Sequence, residues 1–198
     1  MSEPLPRLYD AVIAKHLAEY RQTAFISGPR QVGKTTTARH LSGSYLDWDN
    51  PAHRKLFMAG PEAVAAHVGL HNLNDQLPLI AIDEIHKFGR WNNWLKGFFD
   101  IYADRCRVIV TGSSRLDVYQ RGGDSLMVRY FHYRINPFSV GELVAPTIPD
   151  QLIRKPKALS EIQWKALWEH GGFPEPFAHR TAAFSRRWRD SRQHQLLR

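Results

Sequence analysis

Cysteine is almost absent from this sequence, which has a single one, Cys106, among 198 residues. One cysteine forms neither an internal disulfide nor a cysteine-based metal site, so disulfide-stapled secreted domains are excluded and a reducing cytoplasm fits. We expect Cys106 to lie in the core or at a strand edge. No apolar run approaches the roughly 20 residues of a membrane-spanning helix, and Glu3, Pro4 and Pro6 interrupt any N-terminal signal peptide. We therefore expect a cytoplasmic protein with no membrane partner.

Acidic residues are in the minority, with 19 Asp and Glu against 27 Lys and Arg and a formal net charge of +8. The excess is local, because residues 178–198 contain six arginines and one aspartate, which is +5 of the total. The charge of the remaining chain is ordinary for a soluble domain. The arginine-rich segment has two interpretations, a solvated helix face or a site for an anionic partner such as nucleic acid.

Apolar periodicity predicts strands and helices in alternation. The predicted strands are 23–27, 44–49, 77–82, 107–110 and 130–135. The predicted helices are 5–20, 34–41, 51–70 with a break at Gly60 and Pro61, 91–102, 161–169 and a last one toward the C-terminus. Three prolines in 145–156 mark a linker, and 171–176 is predicted to be a turn. This alternation predicts an α/β fold whose parallel sheet is covered on both faces.

The segment GPRQVGKT at residues 28–35 matches the full Walker A pattern of a P-loop, between a predicted strand and a predicted helix. Its backbone N–H groups and the helix N-terminus would hold phosphate oxygens, and Lys34 would reach the β and γ phosphates. The hydroxyl of Thr35 would bind Mg²⁺, and that of Thr36 would lie near the α phosphate. The predicted nucleotide-binding residues are Gly28, Pro29, Arg30, Gln31, Val32, Gly33, Lys34, Thr35 and Thr36, and the predicted ligand is ATP with Mg²⁺.

A second signature, LIAIDE at residues 79–84, is an apolar strand that delivers two carboxylates to its C-terminal end. Ligands of α/β sheets bind at that end of the strands. In this Walker B pattern, Asp83 is predicted to hold Mg²⁺ through water, and Glu84 to polarise the water that attacks the γ phosphate. Two acids after a strand are also compatible with a solvated turn, but a complete P-loop upstream favours the catalytic interpretation.

Hydroxyl side chains follow the strand predicted at 107–110, in the segment TGSS. If this strand lies between the P-loop strand and the acidic strand, Ser113 or Ser114 would bond the γ phosphate or the attacking water as a sensor. The alternative is that the two serines satisfy a turn or cap the next helix.

With these motifs the chain resembles the AAA-like P-loop ATPases of prokaryotes, many of which carry a second, nuclease-like C-terminal domain. The resemblance rests on GPRQVGKTT, IDEIHK, TGSSR, INPFSVGEL and GGFPEP, which begin at residues 28, 82, 111, 135 and 171. It implies a three-layer P-loop NTPase sandwich, with the sensor strand between the other two, followed by a small helical lid. We accordingly divide the chain into an ATPase core at 1–144, a linker at 145–157 and a lid at 158–198, truncated if a second domain follows.

The resemblance also assigns roles to two residues outside the Walker motifs. It implies that Arg129 is an arginine finger for a neighbouring subunit's nucleotide, which would require a homo-oligomer, and that Pro174 lies near the adenine. The alternatives are a surface charge at Arg129 and an ordinary interhelical turn around Pro174. One departure is that Ser113 and Ser114 stand where many AAA proteins have a sensor asparagine.

Two hypotheses for the function follow from these residues. The first is an ATPase that couples its nucleotide state to conformational change, and the alternative is a nucleotide-dependent switch, associated with nucleic acid or not, in which hydrolysis is slow. His67 and His71 are predicted to be surface or packing residues, because no third metal ligand lies near them. The segment 47–49, Asp-Trp-Asp, either lines a substrate path or only finishes the second strand.

Overall fold

The computed structural model describes residues 5–72, 76–112, 128–148, 153 and 155–196. Its strands are β1 (Thr23–Ser27), β2 (Ser44–Asp47), β3 (Leu79–Asp83), β4 (Arg107–Thr111) and β5 (Tyr130–Arg134). Its helices are α1 (Leu8–Glu19), α2 (Lys34–Leu41), α3 (Pro51–Ala59), α4 (Pro61–His67), α5 (Trp91–Tyr102), α6 (Val140–Val144), α7 (Glu161–His170), α8 (Pro174–His179) and α9 (Ala182–Leu196). A single turn of 3₁₀ helix, Ile85–Lys87, follows β3.

The strands form one all-parallel sheet in the order β2-β3-β4-β1-β5. Its central strands are apolar and buried almost throughout, as expected for a parallel sheet with both faces covered. The predicted α/β fold is confirmed, and so is the position of β4 between β1 and β3. The register pairs Asp47 with Asp83 and Asp83 with Thr111, so the sheet gathers these polar residues at one edge.

Most element boundaries match the sequence patterns, and the exceptions have local causes. Helix α6 is not predicted; the side chain of Ser139 caps it by accepting a hydrogen bond from the backbone N–H of Glu142 at 3.2 Å. Helix α8 replaces part of the turn predicted at 171–176, because Pro174 occupies the first helical turn, where its missing N–H costs nothing. The break predicted at Gly60 separates α3 from α4.

Contacts divide the chain into two compact units, and residues 12–135 form the larger one. Its core is rich in aromatic side chains on α5, where Trp94 and Phe98 stack with ring centroids 5.3 Å apart. Cys106 is fully buried in this core, as expected, and burial raises the pKa of its thiol to about 12. At neutral pH this cysteine is therefore a protonated packing residue and not a nucleophile.

The second unit comprises residues 1–11 and 136–198. It contains a buried ion pair in which Arg7 Nε lies 2.7 Å from Glu142 Oε1, and the guanidinium also stacks on the ring of Phe138. The backbone N–H of Phe138 donates to the carbonyl of Gly172 at 2.7 Å, and a Cβ at Gly172 would collide with the Phe138 carbonyl oxygen. The PFS-x-x-EL and GG segments are thus joined to each other through Phe138 and Gly172.

No helix in the described part of the chain is both long and apolar enough to cross a lipid bilayer.

Candidate functional site

The loop between β1 and α2 has three residues with a positive φ, and two of them are glycines. Gly28 has φ 146° and Gly33 has φ 103°, and Gln31 also takes a left-handed conformation with φ 63°. A Cβ at Gly28 would collide with the carbonyl oxygen of Ile135, whose N–H donates to Ser27 O at 2.8 Å. The first glycine of the motif is therefore required by the close approach of the chain that follows β5.

Lys34 is the first residue of α2 and is 8% exposed. Its ammonium group donates to the carbonyl oxygens of Gly28 at 3.0 Å and Pro29 at 2.8 Å. Val32 is fully buried and anchors the loop in the core, whereas Arg30 and Gln31 are exposed on its outer side. The loop thus directs one buried cation, together with the N-terminus of α2, toward its concave side, which is the arrangement that binds phosphate in P-loops.

Asp83 is the centre of a hydrogen-bond network at the C-terminal end of β3. It is 4% exposed, and its carboxylate accepts the hydroxyl of Thr35 at 2.7 Å, the phenol of Tyr45 at 2.6 Å and the hydroxyl of Thr111. Burial, reinforced by the hydrogen bond to Asp83, raises the pKa of Tyr45, so the phenol keeps its proton and remains a donor. The network joins α2, β2, β3 and β4 around one carboxylate.

Tyr45 and Thr111 both donate hydrogen bonds to Asp83, although no motif in the sequence predicts either contact. Tyr45 lies on β2, and the register pairs it with Ala81, two residues before Asp83 on the same face of the sheet. Thr111 ends β4 directly beside Asp83. The only sequence signal for Thr111 is its place at the end of an apolar strand, and Tyr45 has none, because its role depends on which strand neighbours β3.

Glu84 follows β3 in a left-handed conformation, with φ 56° and ψ 20°. Its backbone N–H donates to Thr111 O at 3.1 Å, so the chain turns sharply while remaining attached to β4. The Glu84 carboxylate lies 3.2 Å from Lys87 Nζ and 3.6 Å from His86 Nε2. A non-glycine residue held in this region of φ and ψ stores strain of about 1–3 kcal/mol, and such residues concentrate at functional sites.

The remaining predicted residues are more dispersed. Ser113 and Ser114 lie outside the described residues, and Thr36 is exposed on α2 next to the buried Thr37. Pro174 begins α8 in the smaller unit. His71 pairs with Glu62 at 2.9 Å, and the described residues contain no group of three or more His, Cys, Asp or Glu side chains that would hold a metal ion.

Arg129 lies at the start of β5, where its carbonyl oxygen accepts the N–H of Thr23 at 3.0 Å. Its guanidinium holds the carboxylate of Asp100 at 2.8 and 3.4 Å, and this hydrogen bond lowers the pKa of Asp100. The P-loop follows the opposite, C-terminal end of β1. Within its own chain, Arg129 is therefore one strand length away from the loop between β1 and α2.

A family model described as an AAA domain matches residues 20–144, well over half of the chain. The chain belongs to this AAA family. The matched range includes the P-loop, Asp83, Glu84 and the whole sheet, so the chain contains an AAA domain of the P-loop ATPase type. The resemblance inferred from the motifs is confirmed at the level of the family.

Solved structures similar to this AAA domain are remote in sequence. PCH-2 of C. elegans has a TM-score of 0.51 and 17% identity, with 83% of this chain and 57% of that chain covered. The Aeropyrum pernix Orc1 protein in complex with DNA has a TM-score of 0.47 and 14% identity, with 72% of this chain and 48% of that chain covered. The S. cerevisiae Hsp104:casein complex has a TM-score of 0.49 and 16% identity, with 86% of this chain and 31% of that chain covered. At this identity the likeness to PCH-2 shows the fold alone, and no curated protein matches the sequence.

This chain spans about half the length of the PCH-2 and Orc1 chains, and about a third of the length of the Hsp104 chain.

Proposed function

We propose that this AAA domain binds ATP together with Mg²⁺ and hydrolyses it to ADP and phosphate. The observation that carries the proposal is that Thr35 of the P-loop donates to Asp83 at 2.7 Å, with Glu84 the next residue along the chain. This contact joins the two Walker motifs, which are 48 residues apart in sequence. A lysine, a threonine hydroxyl and two carboxylates thus lie at or after the C-terminal ends of β1 and β3.

The donor set supports Mg²⁺ as the metal. A threonine hydroxyl and an aspartate carboxylate are hard oxygen ligands, and Mg²⁺ binds through one or two such groups together with phosphate oxygens and water. Thr35 and Asp83 would hold it, and when bound it neutralises charge on the β and γ phosphates. Tyr45 and Thr111 would keep the Asp83 carboxylate in its orientation.

The chain's own side chains then divide the work of hydrolysis. The loop N–H groups and Lys34, released from the carbonyls of Gly28 and Pro29, would bind the phosphates. Glu84 would accept a proton from the water that attacks the γ phosphate, and Ser113 or Ser114 would bond that phosphate or water as a sensor. A second acid beside Asp83 favours hydrolysis over nucleotide binding alone, because a switch that only retains nucleotide needs no general base.

Phosphate release by the purified 198-residue chain tests this function. Lys34→Ala should abolish hydrolysis and weaken ATP binding, whereas Glu84→Gln should abolish hydrolysis and leave ATP binding intact. Wild-type rates in both variants would refute an ATPase at this site. Slow single-turnover hydrolysis with tightly retained ADP would instead support the switch.

Nucleotide state is proposed to act on the rest of the molecule through two elements. Residues 158–198 would serve as the lid, with Pro174 near the adenine. Arg129 would serve a neighbouring subunit's nucleotide, since its own P-loop is at the other end of the strands. Arg129→Ala should then lower ATP hydrolysis without weakening ATP binding, and sedimentation with ATP should reveal an oligomer.

We propose, as a second candidate function, that the C-terminal arginines bind nucleic acid. Some of these arginines already make contacts within the chain. Arg192 stacks on the ring of Phe173 at 4.1 Å, and Arg189 Nε donates to the carbonyl of Ser185. The exposed pair Arg186 and Arg187 would carry the interaction. Replacing both by glutamine should reduce the salt-sensitive binding of single- or double-stranded DNA, and unchanged binding would exclude this face.

A further inference from the structure

The ammonium group of Lys87 lies between two carboxylates that belong to different loops. Lys87 Nζ is 2.5 Å from Asp49 Oδ2 and 3.2 Å from Glu84 Oε2. Asp49 belongs to the loop after β2, and Glu84 belongs to the turn after β3. One cation is therefore shared between the proposed general base and an acid that has no place in the phosphate site.

The two loops are also joined by contacts that do not involve charge. The rings of Trp48 and Phe88 stack with centroids 4.9 Å apart and planes 16° apart. The backbone N–H of Trp48 donates to the carbonyl of Asp83 at 3.0 Å, which extends the pairing of β2 with β3. These contacts hold Asp49 within reach of Lys87 in a defined geometry, so the Asp49–Lys87 pair is more than a chance meeting of two surface side chains.

Lys87 is a cation throughout the neutral pH range. Burial alone would lower its pKa, but the hydrogen bonds that Lys87 donates to Asp49 and Glu84 outweigh that effect and raise it. A protonated lysine that lies between two carboxylates is attracted by both, so its position is a balance between the two attractions.

Glu84 has little need of Lys87 to fix its location. The left-handed turn, the bond from its N–H to Thr111 O and the following 3₁₀ turn already position its Cα. Lys87 Nζ instead lies 3.2 Å from Oε2 of the Glu84 carboxylate, and His86 Nε2 lies 3.6 Å from the same oxygen. A general base must present its carboxylate to the proton of the attacking water. The ammonium group thus holds one oxygen of the carboxylate that would accept this proton.

We propose that Lys87 restrains the carboxylate of Glu84, and that Asp49 weakens this restraint by drawing the ammonium group toward itself. The proposal rests on the proposed ATPase function and deepens it. It makes Lys87 and Asp49 positioning residues that act on hydrolysis through Glu84. It also gives a role to the Asp-Trp-Asp segment at the end of β2. A ligand or protein that binds Asp49 would strengthen the contact of Lys87 with Glu84 and slow ATP hydrolysis.

Steady-state ATP hydrolysis by the full chain tests the inference through effects of opposite sign. Asp49→Asn should lower kcat and Lys87→Met should raise it, each by about two- to fivefold, the size of a half-exposed ion pair. The double variant should turn over like Lys87→Met, because Asp49 has nothing to compete for once the ammonium group is gone. KM for ATP should not change, and Lys87→Arg should remain close to wild type.

Matched controls separate these effects from changes in folding or surface charge. Lys55→Met removes an exposed lysine on α3 and should leave kcat unchanged. Each variant is also checked for its unfolding temperature and for binding of a fluorescent ATP analogue, and Lys87→Gln replaces Lys87→Met if the latter does not fold. A fall in kcat with Lys87→Met or Lys87→Gln, or a further fall when Asp49→Asn is added to either, would overturn the inference.

Glu84→Gln distinguishes the failure of this inference from the failure of the proposed function. Loss of hydrolysis in Glu84→Gln, combined with the wrong sign at Lys87, would leave the ATPase standing and refute the restraint. Hydrolysis at the wild-type rate in Glu84→Gln would refute the ATPase site itself, and the restraint with it.

Discussion

Alanine at Gly28 tests whether the loop between β1 and α2 depends on the absence of a side chain at that position. Gly28 has φ 146°, and a Cβ there would collide with the Ile135 carbonyl oxygen. A non-glycine residue in this backbone region costs about 1–3 kcal/mol. Forcing an atom into filled space costs about 1–3 kcal/mol more. We therefore expect Gly28→Ala to lower the free energy of unfolding by about 2–6 kcal/mol and to abolish ATP binding.

Gly60 offers a matched control for this substitution. It also has a positive φ, 110°, but no atom lies within 4 Å of a Cβ placed there. Gly60→Ala should therefore lower the free energy of unfolding only by the backbone strain, about 1–3 kcal/mol, and leave the affinity for ATP unchanged. Urea unfolding and titration with a fluorescent ATP analogue measure both quantities. Equal destabilisation of the two variants, with ATP binding retained in both, would show that the Ile135 carbonyl moves aside freely and would refute the reasoning.

Three further predictions concern buried polar groups. Tyr45→Phe removes a donor from the Asp83 carboxylate and should lower the free energy of unfolding by about 1.5–3 kcal/mol in urea, the value of a hydrogen bond to a charged group; no loss would mean that Asp83 is satisfied without it. Glu142→Gln leaves the Arg7 guanidinium buried without its counter-charge and should cost about 3–5 kcal/mol, and adding Arg7→Met should recover part of the loss rather than increase it. Burial raises the pKa of Cys106 from 9.0 to about 12, so the thiol of the unfolded chain loses its proton first as the pH rises. The contribution of this thiol to the free energy of unfolding should therefore decline between pH 9.0 and pH 12, by up to about 1.4 kcal/mol per pH unit. Urea unfolding on either side of pH 9.0 should show a shallower decline in Cys106→Ala, and an identical slope would contradict the assignment.

Elements with a strong local pattern could be predicted from the sequence. Helix α5 was predicted with both of its ends, Trp91 and Tyr102, because its large apolar residues recur at the helical period over twelve residues. Strands β1, β3 and β4 were evident as short apolar runs, which is how buried parallel strands look in sequence. Helix α6 was missed since five residues contain too little periodicity to detect, and its stability comes from the cap and from the ion pair of Glu142 with Arg7.

The arginine-rich C-terminus shows how packing alters a compositional prediction. Its charge predicted either a solvated face or an anionic partner, and composition treats all the arginines alike. In the described residues, Arg192 stacks on Phe173 and Trp188, and burial lowers its pKa. Part of the basic segment is therefore used in packing within the smaller unit, which no count of charges could show.

The sequence by itself predicted the loop between β1 and α2, because the spacing of Gly28, Gly33 and Lys34 is a local pattern. The contact with Ile135 that requires glycine at position 28 is tertiary. The sequence also identified Asp83 and Glu84 as the acids at the end of a buried strand. Only the tertiary structure decided that Thr35, Tyr45 and Thr111 converge on Asp83, since convergence depends on the order of strands. The same is true of Lys87 between Asp49 and Glu84: these side chains meet because β2 neighbours β3, and strand order is a property of the sheet, not of any local segment.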